Sequence, residues 1–92
     1  MKAVLTYTVT NGDKKEEITR LFDTAKATKI CDVKNSFGYK VQEIYITAKG
    51  VLFMHNVNEK SLEISDQKWL KEWIGENEPE KYIEIFGEVE EG

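Results

Sequence analysis

Two apolar runs separated by a short break organise the polar–apolar pattern of this chain. Between Tyr39 and Val57 it reads YKVQEIYITAKGVLFMHNV, with Ala48-Lys49-Gly50 as the break. β-Branched and aromatic residues on both sides of a glycine-containing turn predict a β-hairpin. Ile44 and Ile46 fall on one face of its first strand, and Val41 and Tyr45 on the other. In the second strand Val51, Phe53, His55 and Val57 alternate with Leu52, Met54 and Asn56. Both faces of Val51–Met54 are apolar, which predicts a central strand covered by helices on one face and partly covered on the other.

The flanking segments follow the same logic. Residues 2–10, KAVLTYTVT, alternate with period two, and Asn11-Gly12 predicts a tight turn into a return strand over Lys15–Phe22. That strand carries Lys15, Glu16, Glu17 and Arg20, so it belongs near an edge. Asp23-Thr24 offers an N-cap for a short helix over Thr24–Asp32, with Ala27, Ile30 and Cys31 on one side. Asn35-Ser36-Phe37-Gly38 is a turn, and Ser61–Ile64 a short last strand. Ser65 is the expected N-cap of a helix over Asp66–Glu76, whose Trp69, Leu70, Trp73 and Ile74 form an apolar stripe assigned to the core. Pro79 suits the first turn of a second helix with Tyr82, Ile83 and Phe86 on its apolar side, and Gly87 its C-terminal cap. The expectation is one α+β domain over residues 1–87: an antiparallel sheet in the order ββ-α-βββ-αα, helices mainly on one face. Residues 88–92 form an acidic, frayed tail.

Ninety-two residues with 33% charged and 40% hydrophobic content describe an ordinary globular chain. One cysteine, Cys31, excludes an internal disulfide. With an opening too soon polar for a secretory leader, it points to the cytoplasm. No apolar run approaches the roughly 18 residues of a membrane span. The net charge of −4 is unevenly distributed. Residues 1–46 hold eight Lys/Arg against six Asp/Glu, whereas residues 47–92 hold five against eleven. The second half is a source of negative potential that repels nucleic acid and suits a basic protein surface.

Few residues carry candidate chemistry. His55 and Cys31 stand alone of their kind on separate elements, so no metal-ligand spacing exists and no cofactor is expected. As a nucleophile–base pair they would define a small enzyme, but nothing marks Cys31 as a low-pKa thiol. The six glycines are dispersed and form no phosphate loop. What remains is the acidic set Glu76, Glu78, Glu80, Glu84 and Glu88, relieved only by Lys81. Carboxylates on a helix and its flank can imitate the phosphates of a nucleic acid and occupy a basic groove.

Three stretches resemble a group of small proteins encoded by phages, plasmids and conjugative elements of Firmicutes. Arg20-Leu21-Phe22-Asp23-Thr24-Ala25-Lys26-Ala27 is similar to their (R/K)-x-Y-D-T-x-x-A opening, with Phe22 in place of tyrosine. Ile44–Met54 is similar to LY-x-T-K-x-G-x-(F/Y)-F-L, and Tyr82–Glu90 to Y-x-x-I-F-G-x-V-E. The likeness covers roughly residues 15–91; strand 2–10 stands outside it. Some small acidic proteins on such elements are anti-CRISPR inhibitors, so the resemblance implies a counter-defence role. The expectation is a non-enzymatic protein-binding module that fills the basic groove of a host nucleic-acid-handling protein, such as a Cas nuclease. The alternative is an assembly module that forms a homodimer through a sheet edge.

Overall fold

The computed structural model describes residues 1–92 as six strands and two helices. Strands β1 (Lys2–Asn11) and β2 (Lys14–Asp23) form a separate hairpin. Strands β3 (Thr28–Lys34), β4 (Lys40–Ile46), β5 (Leu52–Asn56) and β6 (Ser61–Glu63) make a four-stranded antiparallel sheet in that spatial order. Helices α1 (Gln67–Asn77) and α2 (Pro79–Phe86) complete the chain. The α+β class is as expected.

Strand β5 is the centre of both cores. Leu52 and Met54 pack with Ile30, Cys31, Ile44, Leu70 and Ile74 beneath the helices. Phe53, fully buried between them in sequence, points the other way and joins Phe22 and Leu62 under the hairpin. The Phe53 ring lies 5.1 Å from that of Phe22 and stacks on Tyr45 at 5.4 Å. Such aromatic pairs add to the burial of area itself. The hairpin therefore covers one face of the sheet and the helices the other.

The expected helix over Thr24–Asp32 is absent. Asp23 makes a turn instead: its Oδ1 accepts from the Ala25 amide at 2.9 Å and its carbonyl from the amides of Lys26 and Ala27. Strand β3 then begins at Thr28. A β-bulge at Ile30 lets both Ile30 and Cys31 enter the helix-side core. Two adjacent inward residues look like a helical face in sequence, and the bulge is what produces them here. The β1–β2 turn is Gly12-Asp13 rather than Asn11-Gly12, because Asn11 pairs with Lys14 and Gly12 takes the left-handed φ of +65°.

Asp66, not Ser65, caps α1: its Oδ1 accepts from the Trp69 amide at 2.8 Å. In the next position Gln67 turns back onto the sheet. Its side-chain amide accepts from the Leu52 amide and donates to the Leu52 carbonyl, both at 2.7 Å. Gln67 thus acts as a strand neighbour where β6, only three residues long, no longer reaches. Leu70 and Ile74 are fully buried and Trp73 leans on the same cluster, but Trp69 is 55% exposed and lies outside the core. On α2, Tyr82, Ile85 and Phe86 face the core and Ile83 faces solvent. The helices approach closely at Gly75, where an added Cβ would meet the Tyr82 ring at 3.3 Å.

Phe22 is the one side chain of the hairpin that is fully withdrawn from solvent. Phe22→Ala is expected to cost about 3–5 kcal/mol in urea unfolding. Hydrogen exchange should accelerate through β1 and β2 more than through α1. A loss below about 1 kcal/mol would mean that the hairpin is not held by this contact.

Candidate interaction surfaces

The acidic residues singled out in the sequence gather at the corner between the helices. Glu78 is the single residue that joins α1 to α2; its amide donates to the Ile74 carbonyl at 2.7 Å and its own carbonyl accepts from Tyr82. It is only half-exposed, so it serves the corner more than the surface. Glu76, Glu80, Glu84 and Glu88 are exposed. Only Glu84 has a cation, Lys81, at 3.6 Å. Glu80 and Glu84 stand one helical turn apart and Glu88 follows just beyond the α2 cap. A partner would meet about one carboxylate per 6 Å along this helix.

One carboxylate is different. Glu43, on strand β4, is 9% exposed. It sits on the hairpin side of the sheet, in the same alternation as Val41 and Tyr45. Its Oε2 takes Lys29 at 2.9 Å and Lys40 at 3.0 Å; its Oε1 takes His55 Nδ1 at 2.7 Å and the Tyr45 hydroxyl at 3.3 Å. The His55 bond, followed by those from the lysines, holds the Glu43 carboxyl down at about 2. Burial pushes the Tyr45 hydroxyl up. Lys29 is held above its ordinary value, first by Asp32 at 2.7 Å and then by Glu43. The network ties three strands together at the end of the sheet where none of its partners comes from the hairpin.

The Cys31–His55 pairing does not form. Cys31 lies in the core beneath the helices, and burial raises its thiol to about 11. His55 is on the opposite face, its Nδ1 taken by Glu43 and its Nε2 buried with no partner. The sheet itself therefore lies between the two groups. No three His, Cys, Asp or Glu side chains stand together as a metal site.

The structure adds a feature that the sequence did not suggest. Between the hairpin and the β4–β5 turn lies a cleft of about 530 Å³. Tyr7, Ile18, Phe22 and Val51 make its apolar wall, and Arg20, Lys26 and Lys49 stand at its rim. The three cations come from three separate elements, which is why no run of basic residues announces them. A second exposed feature is the β3–β4 turn, where Asn35 Oδ1 accepts from the amides of Phe37 and Tyr39 at 3.0 Å and holds both aromatic side chains out in solvent. No helix is long and apolar enough to cross a membrane. No protein-family model, curated protein or solved structure matches the chain.

The Glu43 network has a pH signature. Its folded carboxyl titrates near 2 against an ordinary value of 4.5. The folded state therefore binds fewer protons there than the unfolded chain. The stabilisation, on the order of 3 kcal/mol, is complete above pH 5 and is lost as pH falls toward 2. Glu43→Gln should lower stability at pH 7 by about 2 kcal/mol, since Lys29 and Lys40 keep part of their hydration. It should also flatten the acid limb of a plot of urea midpoint against pH. An acid limb identical to that of the parent would show that another carboxylate controls it.

Proposed function

We propose that this chain is a non-enzymatic protein-binding module whose acidic helical corner docks on the basic surface of a nucleic-acid-handling partner. The observation that supports this reading is the exposure of Glu76, Glu80, Glu84 and Glu88 with one weak cation among them. From Glu78 to Gly92 six glutamates face a single lysine. The raised thiol of Cys31 and the Glu43-bound imidazole of His55 lend support to the non-enzymatic reading.

Magnitude limits how such a corner could act. Duplex DNA presents one charge per roughly 1.7 Å of axis, and one strand one per 3.4 Å. Carboxylates about 6 Å apart are two to four times sparser. The corner would compete for a few phosphate-binding side chains rather than replace a whole duplex, and shape would supply the rest of the affinity. Exposed charges of this kind raise the association rate and lose their effect in salt. The resemblance to mobile-element proteins makes a Cas nuclease one partner of the right chemistry, with an anti-CRISPR role for the complex.

The test is affinity capture from host lysate at low and moderate salt. The bait is the parent chain, set beside a Glu76→Lys/Glu80→Lys/Glu84→Lys variant that retains its circular dichroism. The expected result is one nucleic-acid-binding protein, released by competing duplex DNA and held about 10- to 100-fold less tightly by the variant. Capture that is indifferent to both the DNA and the charge reversal would overturn the reading.

A further inference from the structure

We infer that the cleft between the hairpin and the sheet receives the acidic C-terminal segment, Glu88-Val89-Glu90-Glu91, of a second copy of this chain. It would add as a strand along the free edge of β2.

The edge is open. β2 pairs only with β1, and no other strand borders it. The backbone bond from the Thr24 amide to the Met1 carbonyl fixes the phase of the β1–β2 ladder. In an antiparallel pair, bonded and non-bonded positions alternate. Thr19 and Leu21 therefore turn their amides and carbonyls away from β1, toward solvent. The carbonyl of Thr19 already accepts a hydrogen bond from Arg20 Nη1 at 3.0 Å, as an outward-facing carbonyl should. An exposed edge of this kind accepts an added strand through its main chain, while side-chain pockets choose which strand.

The pocket beside the edge selects for acid and aliphatic residues together. Its wall is Tyr7, Ile18, Phe22 and Val51, and Leu21 at the lip is exposed. Arg20, Lys26 and Lys49 at the rim make no ion pair, although the chain as a whole is acidic. Asp23 is the one acid in the lining, and its side chain is committed to the turn at Ala25.

The C-terminal segment has the complementary pattern. Residues 87–92 form no helix or strand, and Val89 is 64% exposed between Glu88 and Glu90, none of whose carboxylates has a cation. In an extended strand Val89 would point to one side and Glu88 and Glu90 to the other. Glu88 and Glu90 can then share the cleft-facing side with Arg20 and the rim, while Val89 covers the exposed Leu21 on the outer side. The donor is another copy for geometric reasons. α2 lies against the helix-side core, on the face of the sheet away from the hairpin. Five residues reach at most about 17 Å, which is spent in rounding the sheet. The contact joins two different surfaces, so it is head-to-tail and builds open chains rather than a closed dimer.

Sedimentation velocity on three proteins tests this: the parent, a variant ending at Gly87, and Arg20→Glu/Lys49→Glu. The changes lie in exposed residues, and the thermal midpoint of each variant reports that it is folded. The parent should associate with rising concentration up to about 1 mM, at least tenfold more weakly in high salt than in low. Each variant alone should be monomeric. The decisive arm is their mixture. The first variant keeps only the cleft and the second only the tail, so together they should form a 1:1 pair that grows no further. A monomeric parent throughout, association that survives either change, or a mixture that stays monomeric would each overturn the inference. The variant with lysine at Glu76, Glu80 and Glu84 should associate like the parent, which separates this contact from docking of the helical corner.

Discussion

A strand that is apolar on both faces must be covered on both faces, and β5 imposes that requirement on the whole chain. Leu52, Phe53 and Met54 are consecutive and all buried. Alternation sends the first and third to one side and the second to the other. One layer cannot satisfy them. The helices supply Leu70 and Ile74 on one side, and the hairpin supplies Phe22 on the other. Burial of such large side chains contributes roughly 1.5–3 kcal/mol each, so both layers are fixed by a handful of contacts.

The two layers are not equivalent. The helix side has seven buried residues and the hairpin side three. Phe22 lies at the base of the hairpin, beside Ala3, Leu5 and Tyr7, whereas residues 8–17 are exposed on both strands. Because the ribbon is pinned at its base, a cleft opens along its flank. Elsewhere on the same face the sheet is finished by charge: Glu43 draws in Lys29, Lys40 and His55. A buried ion network of this sort is weak evidence for extra stability, but removing its central member leaves its partners uncompensated. Hydrophobic cover and electrostatic cover therefore divide one face between them.

Local pattern revealed most of the architecture. Period-two alternation located β1, β4 and β5, and the stripe Leu70, Trp73, Ile74 located α1. Three errors share a cause, namely that tertiary neighbours decide what a short segment does. Thr24–Asp32 reads as helical because a bulge turns Ile30 and Cys31 to the same side, and a bulge depends on the strand opposite. Trp69 fits the helical stripe but falls at its margin, where the sheet has ended. Glu43 is a glutamate in a strand of alternating pattern, and nothing within β4 reveals that two lysines and a histidine from three strands converge on it. The acidic corner was legible because it is continuous in sequence. The cleft was not, since Arg20, Lys26 and Lys49 are scattered among acids along the chain.

That scattering explains how one small acidic protein can present two signs of charge. Two layers separate the hairpin cleft from the outer side of the helices, and each layer is about 10 Å thick. The screening length at physiological salt is about 8 Å. The carboxylates of α2 therefore do little to neutralise the rim of the cleft, and the rim little to soften the acidic corner. The net charge of −4 describes neither surface. An incoming charge would feel mainly the side it approaches, the acidic corner or the basic rim. The sheet between them keeps the two charges from cancelling within one molecule.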